Sequence, residues 1–231
     1  MIDDKLGLRP ADGRRMFAGL RLRFVICHLS FVILLAGCAT QPTFRTVVLD
    51  PGHGGHDPGT TQRGVSPEKV WTLDLAFRLK SRLEQGGFSV ILTRQSDVFV
   101  PLEERVLISN AQPNVIFVSL HFNSTPKRDI QGVETYYDTG RSAKLANKVQ
   151  QSILQLPGVF DRRVKTAPYF VIRRNANPAI LVEGGFLSNP VESHRISSPS
   201  YRDALAEQIY QGVVAYRGKS PIQENATAAA R

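Results

Sequence analysis

A single α/β domain, with a largely parallel twisted sheet and helices on both faces, is what the sequence predicts. Three observations predict it. The chain has 231 residues, 42% hydrophobic and 21% charged, which suits one globular domain with a real core. From Thr46 onward, short apolar runs alternate with segments of helical spacing. Three of those runs lead directly into an ionisable residue or a glycine-rich break, as strands do where a parallel sheet meets its ligand-binding edge.

The elements follow in order. Thr46–Leu49 reads as a buried strand, stopped by Asp50-Pro51-Gly52. Pro67–Gln85 reads as a helix, with Ser66 as its N-cap and Pro67 as its first residue. Its expected apolar positions are Val70, Leu73, Ala76, Phe77 and Leu83, and Gly86-Gly87 ends it. Phe88–Thr93 is a strand, Leu102–Ala111 a helix, Val115–Leu120 a strongly apolar strand and Val133–Tyr137 a strand of β-formers. Ser142–Leu156 is an amphipathic helix, Tyr169–Ile172 and Ala179–Val182 are short strands, and Tyr201–Tyr216 is the final helix. Residues 218–231 read as a disordered tail. No internal repeat and no second domain is expected.

Residues 1–37 read as a signal segment. Arg14, Arg15, Arg21 and Arg23 form its basic part, and Phe24–Ala36 is an apolar run too short for a comfortable membrane span. Met16 is an alternative start. Leu35-Ala36-Gly37-Cys38 resembles the lipobox of bacterial lipoproteins. That resemblance implies cleavage before Cys38, lipidation of its thiol and a membrane-held protein, since two or more acyl chains anchor stably. Residues 38–45 would then be a tether, and Ala39 points to the outer membrane, facing the periplasm. With Cys27 removed and Cys38 modified, neither a disulfide nor a cysteine metal site is available. The formal charge is +9; residues 1–37 carry six basic and three acidic groups, so 9 − 3 = +6 remains on residues 38–231. That excess favours an anionic cell-wall polymer or membrane surface. Nucleic acid is set aside, because no basic–aromatic binding pattern is present.

His53, Glu68, His121 and Glu183 are the candidate chemical residues. His53 follows the first strand, His121 ends Val115–Leu120, and Glu183 ends Ala179–Val182. Parallel strands would gather all three at one edge, and Glu68, in a first helical turn, suits the helix dipole there. Two imidazoles and a carboxylate are a usual ligand set for catalytic zinc, with the fourth position open to water. A further carboxylate can move the water's proton to a leaving amine, and Glu183 is placed for that. His56 and His194 read as exposed groups, Arg173 and Lys165 as surface groups or partners of substrate carboxylates, and Trp71 as core or rim.

The segments Leu49–Gly55, Glu68-Lys69, Ser119–Ser124 and Leu181–Asn189 together resemble the motif set of the zinc-dependent N-acetylmuramoyl-L-alanine amidases, which are cell-wall enzymes. The likeness covers roughly residues 46–217. It implies hydrolysis of the amide between the lactyl group of N-acetylmuramic acid and the L-alanine of the peptidoglycan stem. One Zn²⁺ would be held by His53, Glu68 and His121, with Glu183 as the catalytic glutamate. Asn123 and Glu134 are expected to meet substrate, with peptidoglycan as partner and a monomer as the working form. Some relatives carry a long helical insertion that plugs the zinc site; residues 138–179 leave little room for one. Arg163 stands where relatives have glycine after an arginine. A zinc peptidase or carboxypeptidase acting on the same stems, or a non-catalytic wall-binding lipoprotein, are the alternative readings.

Overall fold

The computed structural model describes residues 44–61 and 66–218. The expected signal segment and Cys38 lie outside the described residues, as do most of the tether and of the carboxyl-terminal tail. Six strands form one sheet: β1 (Thr46–Pro51), β2 (Ser89–Leu92), β3 (Val115–Asn123), β4 (Val133–Tyr137), β5 (Asp161–Thr166) and β6 (Ala179–Phe186). Among the described residues six helices flank it: α1 (Glu68–Gln85), α2 (Leu102–Asn110), α3 (Gly140–Ile153), α4 (Phe170–Arg173), α5 (Pro190–Ser197) and α6 (Pro199–Arg217). The spatial order is β2-β1-β3-β6-β4-β5. β2, β1, β3 and β6 run parallel; β4 is antiparallel to β6, and β5 follows β4. The largely parallel sheet expected from the sequence is thus present, with a reversed edge.

The two faces are unequal. Alternation along β3 sends Ile116, Val118, Leu120 and Phe122 into the larger core, with Leu75, Leu79 and Leu83 of α1, Leu145 and Val149 of α3, and Leu205 and Ile209 of α6. Val115 and Phe117 face a smaller cluster with Val106 of α2 and Val171 and Ile172 of α4. Four residues beyond Phe117, the same period puts His121 on this thinner face, where the covering stops short and leaves a cleft. The chain reaches β1 from Phe44, at the sheet edge opposite that cleft.

Several local expectations need correction. α1 begins at Glu68 with Pro67 as the capping residue, and Ser66 makes no cap hydrogen bond. Its buried stripe is Glu68, Thr72, Leu75, Ala76, Leu79 and Leu83, while Val70 and Phe77 are exposed. The expected face was rotated because the first turn buries two polar groups, Glu68 and Thr72, for the site rather than apolar ones for the core. Its end is as expected: Gly87 (φ 79°) and Phe88 donate backbone N–H bonds to Glu84 and Leu83, the pattern of a left-handed helix stop.

Tyr169–Ile172, expected as a strand, is the start of α4. Its aromatic and β-branched residues favour a pleated surface, but they are packed on the sheet instead of within it. Asp161–Thr166, with no expected element, is the edge strand β5; its polar sequence suits an edge. Pro190–Ser197 was also unexpected and is α5, capped by the Asn189 side chain, which accepts from the Val191 and Glu192 N–H groups. Between β4 and β6 lie only α3, β5 and α4, and no helix fills the cleft among the described residues.

Candidate metal centre and its cleft

Three side chains from three elements meet in the cleft. The β1 strand delivers His53 on a loop, α1 brings Glu68 in its first turn, and β3 carries His121 two residues before its end. Glu68 Oε1 lies 3.2 Å from His53 Nε2 and 3.1 Å from His121 Nδ1. One ligand atom from each residue falls within 4.8 Å of the others. Tetrahedral zinc with bonds of about 2.0 Å needs ligand atoms roughly 3.3 Å apart. The two measured edges match that requirement, so the donor set fits a divalent cation in both chemistry and spacing.

Each ligand is held by its surroundings. Asp57 Oδ2 accepts a 2.8 Å bond from His53 Nδ1, which leaves Nε2 with its lone pair toward the centre. His53 itself sits at φ 64°, a left-handed conformation uncommon for a residue with a Cβ and frequent at functional sites. Glu68 accepts from Thr60 N–H at Oε2 (2.9 Å) and from Phe122 N–H at Oε1 (3.0 Å). Burial alone would raise its pKa; the hydrogen bonds and charges of the two imidazoles overcome that and hold the carboxyl well below its usual range. For His53, burial works downward and the Glu68 and Asp57 carboxylates work upward, with a net raised value. His121 packs its ring against Gly52, where an added Cβ would come within 2.2 Å of Cε1.

Two arginines clamp the His53 loop, and neither was singled out from the sequence. Arg105, buried on α2, donates to Asp50 Oδ1, Pro51 O, His53 O and Val100 O. Arg94 donates to the carbonyls of Pro51, Gly52 and Lys69 and to Thr72 Oγ1. Asp50 completes the clamp with bonds from Thr93 and Ser119 hydroxyls. A loop of glycines leaves backbone carbonyls bare, and these guanidinium forks satisfy them.

Glu183 pairs in register with His121 across β3 and β6. Neighbouring strands lie about 4.8 Å apart, so the two side chains share one row on the thinner face. Glu183 Oε2 is shut off from solvent and has no hydrogen-bond partner among the described residues. Desolvation, then the charges of Glu68 and Glu134, raise its pKa well above the usual carboxylate value. A carboxylate oxygen shut off from water without a partner costs stability, and such groups concentrate where chemistry needs them.

The cleft has a volume of about 580 Å³ and is lined by His53, Glu68, His121, Asn123 and Glu183, with Phe99, Leu102, Tyr169 and Phe170 at its rim. Glu134 is one strand further over, in register with Glu183, and is not part of the lining. Asn123 Nδ2 reaches Glu134 Oε2 at 3.3 Å. His56 stays outside the metal group and stacks on Phe99, ring centroids 4.1 Å apart. His194 and Arg173 are exposed, and Trp71 is half-buried at a rim under Arg202. Lys165 is tied to Glu134.

A sequence profile of the N-acetylmuramoyl-L-alanine amidase family matches residues 47–215. The chain belongs to that family. It is 35% identical over 176 residues to N-acetylmuramoyl-L-alanine amidase LytC of Bacillus subtilis, a match covering 74% of this chain and 35% of that relative. The chain thus spans about a third of that longer protein. Among solved structures, N-acetylmuramoyl-L-alanine amidase AmiC2 of Nostoc punctiforme superposes with a TM-score of 0.72 at 38% identity, over 74% of this chain and 96% of that one. The catalytic domain of CwlV from Bacillus (Paenibacillus) polymyxa gives 0.72 at 32% identity, over 75% and 98%. For this amidase-family domain the matched region covers every element that carries a site residue.

Proposed function

We propose that the protein hydrolyses the amide bond between the lactyl group of N-acetylmuramic acid and the L-alanine of the peptidoglycan stem, using one zinc ion. The observation that carries this reading is the row formed by His121 and Glu183: a three-ligand group on one side, and a desolvated carboxyl with a free oxygen on the other. His53, Glu68 and His121 would hold the ion, which would acidify a water and polarise the lactyl carbonyl. Asp57 keeps His53 in the ligating tautomer. Glu183 takes the proton from the attacking water and delivers it to the departing alanine nitrogen. Its raised pKa suits the first half of that exchange, since desolvation and the Glu68 and Glu134 charges make the carboxylate a stronger base toward the water's proton. Digestion of purified sacculi, with mass analysis of the products, tests the reading. Release of intact stems beginning with L-alanine supports it; stems trimmed at a peptide bond would assign a peptidase instead.

The same proposal includes export and anchoring in the cell envelope through lipidated Cys38, at the outer membrane facing the periplasm, with the domain acting as a monomer. The Leu35-Ala36-Gly37-Cys38 sequence supports the anchor. The eight residues from Cys38 to Arg45 span at most about 29 Å when extended. Membrane fractionation of Cys38→Ser checks this: the variant should become soluble, and retention in the membrane would remove the anchor.

A further inference from the structure

We infer that Arg162 and Lys165 form a ledge that binds a carboxylate of the stem peptide, and that buried Glu134 is the residue that positions both. The inference rests on the amidase reading for the identity of the substrate and for the side of the metal group on which the departing peptide lies.

The ledge is read from strand order. His121, Glu183 and Glu134 stand in one register row across β3, β6 and β4. β5 lies next to β4 and supplies Arg162 and Lys165. Glu134 Oε1 accepts from Arg162 Nε and, at 2.8 Å, from Lys165 Nζ. The Tyr136 hydroxyl and Asn123 Nδ2 donate to Oε2. Glu134 is 2% exposed, whereas the side chains of Arg162 and Lys165 are 32% and 39% exposed. One buried carboxylate therefore fixes two half-exposed cations. The set keeps a net positive charge, and the guanidinium Nη atoms have no acceptor among the described residues. The ledge is also braced: Lys165 Nζ lies 5.9 Å from the Tyr136 ring centroid, and Tyr169 stands edge-on to that ring at 5.1 Å.

The other end of the cleft is different. Beyond His53 the rim is apolar and aromatic, with Phe99 and Leu102 about half exposed. Proton delivery decides which end takes which part of the substrate. Glu183 serves the leaving nitrogen, so the departing peptide lies on the Glu183 side of the metal group, over β4 and β5. The lactyl and sugar portion then falls toward Phe99. From β6 to β5 is two strand spacings, roughly 10 Å. From the leaving nitrogen to a carboxylate on the α-carbon of the next residue an extended stem covers about 7 Å, and the Arg162 and Lys165 side chains, which reach back over β4 to Glu134, span the remainder. The acidic group that reaches the ledge is therefore the one on the second stem residue, a D-glutamate linked through its γ-carboxyl and carrying a free α-carboxylate.

Calorimetric titration of the full-length protein with the tripeptide L-Ala-γ-D-Glu-L-Lys, and with the same peptide amidated at the glutamate α-carboxyl, tests this without requiring turnover. The wild type should bind the carboxylate form about 10-fold more tightly, as a charge-assisted hydrogen bond allows. Lys165→Met and Arg162→Gln should each shrink that preference, and the double variant should abolish it. Glu134→Gln should weaken it too, with the amidated peptide barely affected. Equal affinity of the wild type for both peptides, or a preference that survives the double variant, overturns the ledge. Sacculus digestion separates the two readings. Stem release without peptide discrimination defeats the ledge alone; discrimination without stem release defeats the amidase reading alone.

Discussion

Gly52→Ala is a one-carbon change with a calculable consequence. Gly52 carries no left-handed φ, so the new side chain brings no backbone strain and only a steric effect. Its Cβ would lie 2.2 Å from His121 Cε1, 2.4 Å from Nε2 and 2.6 Å from Nδ1. Non-bonded carbons make contact at roughly 3.5 Å, so the imidazole must retreat by more than about 1 Å. Ligand distances in metal sites are held to about 0.2 Å. The retreat therefore removes Nδ1 from the ligand set even if the sheet absorbs part of the clash. Overpacking of this kind costs about 1–3 kcal/mol, which leaves a domain of this size folded. Zinc affinity should fall at least 10–100-fold, the size of effect seen when a ligand loses its orientation. Competition with a fluorescent chelator gives the affinity, and a thermal melt with and without zinc gives the linked stability. A Gly52→Ala protein that folds, binds zinc as tightly as the wild type and gains the same zinc-dependent melting shift would refute the packing argument.

Glu183→Gln should lower stem release by about 10²–10⁴-fold while zinc content is unchanged. In the metal-free protein it should also raise the melting temperature at pH 7. The Glu183 carboxyl has a raised folded pKa, so its charge costs stability as pH climbs above the unfolded value, and the amide removes that cost. Glu134 works in the opposite sense. Burial would raise its pKa, but Lys165, Tyr136 and Arg162 bring it below the ordinary value. Its contribution to stability is therefore full above the unfolded pKa and lost as pH falls through the folded one. The Glu134→Gln protein should show a smaller loss of stability between pH 6 and pH 3 than the wild type, measured by denaturant unfolding. Arg163→Gly should stabilise the fold by about 1 kcal/mol, a melting shift of roughly 2–4 °C. Arg163 holds φ 74° in the bulge where β5 slips against β4, and glycine adopts that conformation without a Cβ clash. An unchanged or lower melting temperature would show that the arginine side chain itself supports the bulge.

The same bulge illustrates what the sequence conveyed and what it withheld. The departure at Arg163 was visible, but its meaning needed the backbone: a left-handed residue in an edge strand whose polar sequence, Asp161 to Thr166, gives no apolar alternation. His53, His121 and Glu183 were legible because each follows an apolar run that ends at the sheet's ligand edge, Glu68 because it opens a helix there, and all four because the motifs around them are distinctive. His53, Glu68 and His121 do converge, and Glu183 does share the His121 row. Arg94, Arg105 and Asp57 were not legible. Arg94 and Arg105 act on carbonyls of the His53 loop that lie 42 to 54 residues earlier in the chain, and no periodicity encodes such a pairing. The Thr93-Arg94 dipeptide at a strand end was the available signal. The aromatic and β-branched run Tyr169–Ile172 misled for a related reason: its packing partner is the face of the sheet, not a neighbouring strand, and only tertiary structure says which.

The central claim is that His53, Glu68 and His121 hold one divalent cation. Metal content of the purified protein, by mass spectrometry after dialysis against buffer containing trace zinc, tests it most directly. One zinc per chain is expected, falling to near zero in His53→Ala and Glu68→Ala proteins that remain folded. A wild-type protein that releases stem peptides while holding no metal, or variants that keep their zinc, would contradict it.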